Sequence, residues 1–273
     1  MLFSDQHERL VDRVRILERR LLSADFEDEI DVVFQPIFNP TTGEVKGMET
    51  LARWQCASLG TVPPSEFIPL AERAGRINEI TQNVLQKALD SAREWRDDIF
   101  LSVNLSALDI ASQEAASHLL RIIEQAEFET SRLVFEVTET VFMNQIERTN
   151  VVLNQFKALG IEIALDDFGT GYSSLNYLQH MTLDRLTIDR SFIADIEKNT
   201  VAQKILFNVL RLCASIEIDC IIEGLERESQ RQILASFGAK LVQGYYFAVP
   251  MSKQDASTYA CDPTVWESKR QTA

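Results

Sequence analysis

Five short apolar runs in this chain each end on a side chain that can offer oxygen to a cation. They are Gly47-Met48-Glu49, Leu101-Ser102-Val103-Asn104, Leu133-Val134-Phe135-Glu136, Ile163-Ala164-Leu165-Asp166-Asp167 and Cys220-Ile221-Ile222-Glu223. Short stretches rich in Val, Ile and Phe read as buried strands. A carboxylate at the end of such a strand is costly to bury unless a cation or ion pair neutralises it. Any one of these acids alone would read as a helix N-cap or a loop salt bridge. Repeated on successive strands, they point to carboxylates converging on metal at one mouth of a barrel. Hard oxygen donors suit Mg²⁺ or Mn²⁺ rather than zinc. The adjacent pair Asp166-Asp167 says more: alternation breaks down at a strand end, so one carboxylate can bridge two ions while its neighbour serves the second. Two ions about 4 Å apart suit an in-line attack on phosphorus.

The elements that must position these groups follow from the pattern. Val32–Phe38 and Val45–Trp54 read as strands joined by a short turn with Asn39-Pro40 and Thr42-Gly43, hence antiparallel. Helical stretches near 65–73 and 77–96 follow. Strands near 99–105, 132–137, 161–166, 185–189, 217–223 and 240–242 alternate with helical patterns such as Ile146–Leu159 and Val201–Ser215. Strand-then-helix repetition implies a mostly parallel sheet with right-handed crossovers. The expected fold is α/β: an irregular TIM-like (β/α)8 barrel with the first strand antiparallel, its site at the C-terminal ends of the strands. The expected organisation is a connector helix in residues 1–30, the barrel in 31–260 and a tail in 261–273.

A chain of 273 residues is near the roughly 250 typical of such a barrel. Its formal charge of −14 argues against long nucleic acid as a partner, but not against a small nucleotide held by metal and a few local cations. Cys56, Cys213, Cys220 and Cys261 are scattered and read as reduced thiols. The start lacks a signal-peptide pattern, and no apolar run approaches the roughly 18 residues of a membrane span. The expectation is a cytoplasmic segment without direct membrane contact. In residues 6–24, Leu10, Val14, Leu17 and Leu21 form a short heptad-like stripe. It reads as a helix packed outside the barrel, or as a connector or dimer seam. The loop Asp167–Leu175, with Gly169 and Gly171, reads as a mobile lid or subunit contact. Trp54 reads as packing beneath the site, and Tyr245-Tyr246-Phe247 as the last strand and its turn.

Taken together, Gln35-Pro36-Ile37, Glu49-Thr50-Leu51 with Arg53-Trp54, Phe67–Glu72, Val103–Ser106, Glu136–Glu139, Asp166–Leu175, Ile188–Phe192, Glu223-Gly224 and Gln243-Gly244 resemble the EAL domain of cyclic di-GMP phosphodiesterases, in the right order from about residue 31 to 255. The start of the chain is similar to a GGDEF–EAL junction. The resemblance implies hydrolysis of cyclic di-GMP to linear pGpG with two Mg²⁺ or Mn²⁺ ions, in a homodimer. By position, Glu49, Asn104, Glu136 and Asp166 would hold one ion, and Asp166, Asp167 and Glu223 the other. Glu139 would anchor the glycine loop, and Gln243 would orient ligands or water. Gln35, Leu51 and Arg53 would contact the dinucleotide, the forked guanidinium on a phosphate.

Two positions depart from the family pattern. Thr50 enlarges the middle residue of the signature Glu-Ala-Leu, a minor change. Thr187, in Leu186-Thr187-Ile188-Asp189, stands where active members resemble Leu-Lys-Ile-Asp. The lysine there lies beside the metal-bound water, and losing such a positioned cation commonly costs on the order of 10²–10³ in rate. Arg185 and Arg190 flank the position and are expected to point to the opposite face or out of the barrel end. An attenuated phosphodiesterase is therefore set against a non-catalytic cyclic di-GMP receptor. Retention of every acid favours metal use; a protein-interaction module without nucleotide would leave Arg53, Gln35 and Gln243 unexplained.

Overall fold

The computed structural model describes residues 2–139, 141, 146–169 and 183–262, with side chains from residue 11 onward apart from 146–148. The glycine-bearing loop beyond Gly169 and the tail beyond Asp262 lie outside the described residues.

The chain opens with helix α1 (Leu2–Ser23) and the single turn α2 (Phe26–Glu29), then enters a hairpin of β1 (Ile30–Phe38) and β2 (Val45–Cys56). The hairpin turn is built by Asn39: its side-chain oxygen accepts from the amides of Thr41 and Thr42 (2.8 and 3.1 Å). Gly43 supplies the positive φ of 74° that closes the turn. A short strand β3 (Gly60–Val62) pairs with the end of β2. Helices α3 (Pro64–Arg73) and α4 (Ile77–Ala92) lead to β4 (Phe100–Leu105), α5 (Ala107–Ala111), α6 (Gln113–Gln125), β5 (Leu133–Thr138), α7 (Ile146–Ala158) and β6 (Glu162–Phe168). The remainder runs β7 (Arg185–Ile188), α8 (Thr200–Ser215), β8 (Asp219–Ile222), α9 (Glu228–Ser236), β9 (Leu241–Val242) and α10 (Lys253–Cys261).

Strands β2, β4, β5, β6, β7, β8 and β9 pair in parallel in that order. β1 closes the ring between β9 and β2, antiparallel to both. The expected irregular barrel is therefore the observed one. Between strands and helices lies the main core; α4 contributes Ile77, Ile80, Val84, Leu85, Ala88 and Leu89 from one face, the three-and-four spacing of an amphipathic helix. Trp54 is fully buried and donates its indole N–H to Glu29 at 2.9 Å, in the packing role its sequence context suggested.

Inside the barrel, Ile37, Phe100, Val134, Ala164, Ile221 and Leu241 form a separate apolar layer. Side chains two apart on a strand share a face. One step towards the C-terminal mouth from this layer therefore come Ser102, Glu136, Asp166, Glu223 and Gln243. On the antiparallel β1 the same step runs backwards, to Gln35. Gly47, one step below Glu49, leaves room for the Phe100 ring, whose atoms would lie 2.4 Å from any Cβ there. The barrel floor is apolar and its mouth acidic because one register fixes both.

Two expectations need correction. Arg185 does not face away from the position of Thr187; two residues apart, they share the interior face. Arg185 lies one layer deeper, paired with Glu162 at 2.5 Å and stacked over Phe100 with its guanidinium carbon 4.0 Å from the ring centre. It is committed there and offers no substitute cation. Tyr245–Phe247 form a turn rather than a strand. β9 ends at Val242 because the chain then folds onto the segment after β8, where Leu225 N–H donates to the Gln243 carbonyl at 3.0 Å. A Cβ at Gly244 would come within 2.2 Å of the Leu225 backbone. In α1, Leu17 and Leu21 are buried, in line with a helix packed outside the barrel, and Val14 is 38% exposed; the Leu10 side chain lies outside the described residues. Among the described residues no helix is long and apolar enough to cross a membrane.

Candidate active site

Each acid is delivered by its strand. Glu49 sits beside Gln35 on one side and Ser102 on the other, Asn104 beside Glu136, and Thr138 beside Asp166. The β6–β7 register slips between Leu165 and Phe168, and Asp167 adopts a left-handed φ of 56°. That local bulge aims adjacent carboxylates at the same rim, the break in alternation the sequence suggested. Its strain, of order 1 kcal/mol or more, is the kind found at functional sites.

Amides hold the central carboxylate. Asn104 donates to one Glu49 oxygen at 3.0 Å and Gln243 to the other at 2.7 Å. Ser102, completely buried, donates to Glu136 at 2.6 Å. Its role was missed in the sequence, although its two-residue offset from Asn104 carried the signal. The Asp166 carboxylate accepts from the Asp167 amide at 2.8 Å. Among the described residues no three acidic, histidine or cysteine side chains are gathered closely enough to form a ready ligand set; the carboxylates rest instead on these neutral donors.

Electrostatics tie them into one group. Burial pushes the Glu223 carboxyl up to about 9, helped by the charges of Glu49 and Asp166. Burial and the Asp167 charge raise Asp166 to about 7. Glu136 lies well above the carboxylate range through burial and the charges of Glu49 and Asp166, and Glu49 is raised by burial against the pull of Gln243 and Asn104. Asp167 is raised by burial and by Asp189 and Glu139. Asp189, given no role from sequence, thus adds to the same field, held by the Ser191 amide at 2.9 Å. Like charges forced together in low dielectric are the setting a divalent cation relieves, and the donor chemistry fits Mg²⁺ or Mn²⁺.

Other predicted residues surround this group. Thr187 is 1% exposed and its hydroxyl has no hydrogen-bond partner among the described residues; its strand neighbours in register are Ile221 on β8 and, through Leu165↔Leu186, the Asp166 region of β6. Arg53 is half-buried, donates to the Ala52 carbonyl at 2.8 Å, and forms no ion pair among the described residues. Leu51 and Asn104 border a cleft of about 400 Å³ that continues outward between β2, α3 and α4, lined by Ser65, Ile68, Ile77 and Ile80. This cleft was not legible in sequence, since its walls come from segments far apart in the chain. Glu72, on α3, accepts from Ser106 at 2.7 Å, next to Asn104.

Raised carboxyl pKa values make a sign-definite expectation. In the folded chain Asp166 and Glu223 hold protons more tightly than in the unfolded chain, so their contribution is favourable at low pH and is lost as pH rises through about 7 and about 9. In EDTA, Tm should fall between pH 6 and 9. Adding Mn²⁺ should recover most of that loss at the alkaline end. A flat EDTA profile would contradict the coupling.

Comparison with known proteins agrees with the barrel fold. The EAL domain profile matches residues 18–250. The chain is 34% identical over 251 residues to MucR of Pseudomonas aeruginosa, a bifunctional diguanylate cyclase/cyclic di-GMP phosphodiesterase, covering 90% of this chain and 36% of that protein. It is 32% identical over 238 residues to the cyclic di-GMP phosphodiesterase PdeR of Escherichia coli, covering 86% and 36%. The chain thus spans about a third of the length of these relatives. Among solved structures, the MucR phosphodiesterase in complex with c-di-GMP superposes with a TM-score of 0.80 at 31% identity, covering 89% of this chain and 99% of that one. The EAL enzyme Bd1971, bound to cAMP and cyclic-di-GMP, superposes at 0.85 with 28% identity, covering 92% and 69%. This chain is a member of the EAL domain family of cyclic di-GMP phosphodiesterases.

Proposed function

We propose that this chain cuts one phosphodiester of cyclic di-GMP to give linear pGpG, at a rate limited by Thr187. The observation that carries this reading is the set of mutually repelling carboxylates Glu49, Glu136, Asp166, Asp167 and Glu223 at the barrel mouth. Glu49, Asn104, Glu136 and Asp166 would hold one divalent ion, and Asp166, Asp167 and Glu223 a second. Such ions supply an activated water and neutralise charge that develops on the phosphate. Asn104 and Gln243 fix both oxygens of Glu49, so its carboxylate cannot swing away when a ligand enters. Arg53, with most of its donors uncommitted, is placed to grip a non-bridging phosphate oxygen bidentately. The cleft beyond Leu51 is apolar and large enough for a purine base. Gln35 would contact the dinucleotide, and Glu139 would anchor the glycine loop.

Thr187 favours a second reading, a receptor that binds without cutting. A buried threonine hydroxyl neither carries charge nor reaches as far as a lysine amine. Incubation with cyclic di-GMP and Mn²⁺ should yield pGpG slowly, and Thr187→Lys should accelerate it by roughly 10²-fold. Tight binding in EDTA with no pGpG from either protein would establish the receptor instead.

The reading extends to pairing of two copies through α8. Val201, Ile205 and Leu212, with Ile216 just beyond its end, are 62%, 49%, 37% and 44% exposed. Their spacing is palindromic: an antiparallel copy sets Val201 against Ile216 and Ile205 against Leu212, as an isologous two-fold contact requires. Light scattering should give twice the 31.0 kDa chain mass for wild type and a monomer for Ile205→Glu. A monomeric wild type contradicts the pairing.

A further inference from the structure

We propose that Arg76 is a positioning residue through which the N-terminal helix sets the nucleotide cleft; the inference rests on the cyclic di-GMP reading above. The guanidinium joins three elements. One terminal nitrogen donates to the carbonyls of Leu21 and Leu22, both at 3.0 Å, capping the last turn of α1. The other two nitrogens grip the Glu79 carboxylate at 2.6 and 2.7 Å, and the group stacks over Phe26 of α2, 4.6 Å from the ring centre. Arg76 is also the residue immediately before α4, whose first two turns present Ile77, Ile80 and Thr81 to the cleft. A lysine could not make this fork, because its ammonium is a single point of donation.

The contact does not stand alone. Arg13 meets Glu66 of α3 at 2.6 Å, and Glu18 approaches Arg73 at 3.8 Å. Leu17 and Leu21 are buried. α3 and α4 are thus held by α1 on one side while Ser65, Ile68 and Glu72 of α3 and Ile77, Ile80 and Thr81 of α4 line the cleft on the other. No contact from α1 reaches the acidic mouth among the described hydrogen bonds and ion pairs. A shift of α1 would therefore alter the base cleft and leave the ion-binding carboxylates in place. The chain spans about a third of its longer relatives, and α1 is the element an upstream segment would move.

The test separates the cleft from the mouth. Cyclic di-GMP affinity in EDTA and Mn²⁺ affinity without nucleotide are measured by calorimetry for wild type, Arg76→Ala, Arg76→Lys, Arg13→Glu, Glu66→Arg and the exchanged pair R13E/E66R. Arg76→Ala should weaken the nucleotide about tenfold, within the usual range of coupling between sites. Arg76→Lys should recover only part of this, and Mn²⁺ affinity should not move. Arg13→Glu and Glu66→Arg, at an exposed pair, should each cost roughly twofold to fivefold, and the exchanged pair should return towards wild type. Nucleotide binding unchanged in a folded Arg76→Ala, or nucleotide and Mn²⁺ affinities falling together, overturns the inference. If Arg76→Ala does not fold, failure of the exchanged pair to restore binding overturns it. A wild type that binds no cyclic di-GMP overturns the proposed function and this inference with it.

Discussion

Five carboxylates at the mouth of one barrel repel one another, and the rest of the site is arranged around that repulsion. Burial raises every one of Glu49, Glu136, Asp166, Asp167 and Glu223, and neighbouring negative charge adds to it, from within the group for four of them and from Asp189 and Glu139 for Asp167. A group built only for stability would carry cations among them, because uncompensated buried charge is destabilising. Here the compensation is neutral: Asn104, Gln243 and Ser102 donate hydrogen bonds that orient the oxygens without cancelling charge. The nearest basic candidates are engaged or set aside. Arg185 is locked to Glu162 at the barrel floor, and Arg53 eases Glu49 by its charge alone, less than burial raises it. Charge left uncancelled in this way is what a divalent cation would relieve.

The fold meets that demand through parity. A barrel strand alternates inside and outside, so fixing one interior residue fixes the next interior residue at the mouth. The apolar layer of Ile37, Phe100, Val134, Ala164, Ile221 and Leu241 sets the register. The polar layer above it follows automatically, with the antiparallel β1 supplying Gln35 in reverse order. A one-residue slip on any strand would bury its donor among the helices and turn an apolar side chain into the site. The slip in the β6–β7 pairing, the bulge at Asp166-Asp167, is the one that adds a carboxylate.

Much of this was legible in the chain because strand, parity and acid are all local signals. Glu49, Glu136, Asp166 and Glu223 could be placed from their apolar runs alone, and the antiparallel hairpin from its Asn and Gly turn. What was lost depended on distance or on depth. Arg185 was assigned to the wrong face, although the alternation that placed the acids also places Arg185 beneath Thr187. Tyr245–Phe247 look like strand until the backbone of Leu225 is brought against Gly244. The stripe of α1 left a packed helix, a connector and a seam open, and the burial of Leu17 and Leu21 against the barrel's outer layer fits the first. The cleft is assembled from β2, α3, α4 and the segment after β4, and no local pattern announces it.

The central claim is that protons occupy this acidic mouth until divalent ions displace them. Titrating Mn²⁺ into EDTA-stripped protein near pH 7, in buffers of different ionisation enthalpy, counts those protons directly. With Glu223 held up to about 9 and Asp166 to about 7, binding must release a net positive number of protons, fewer as the pH is raised. Binding that releases none at neutral pH, or no binding at all, would contradict the account.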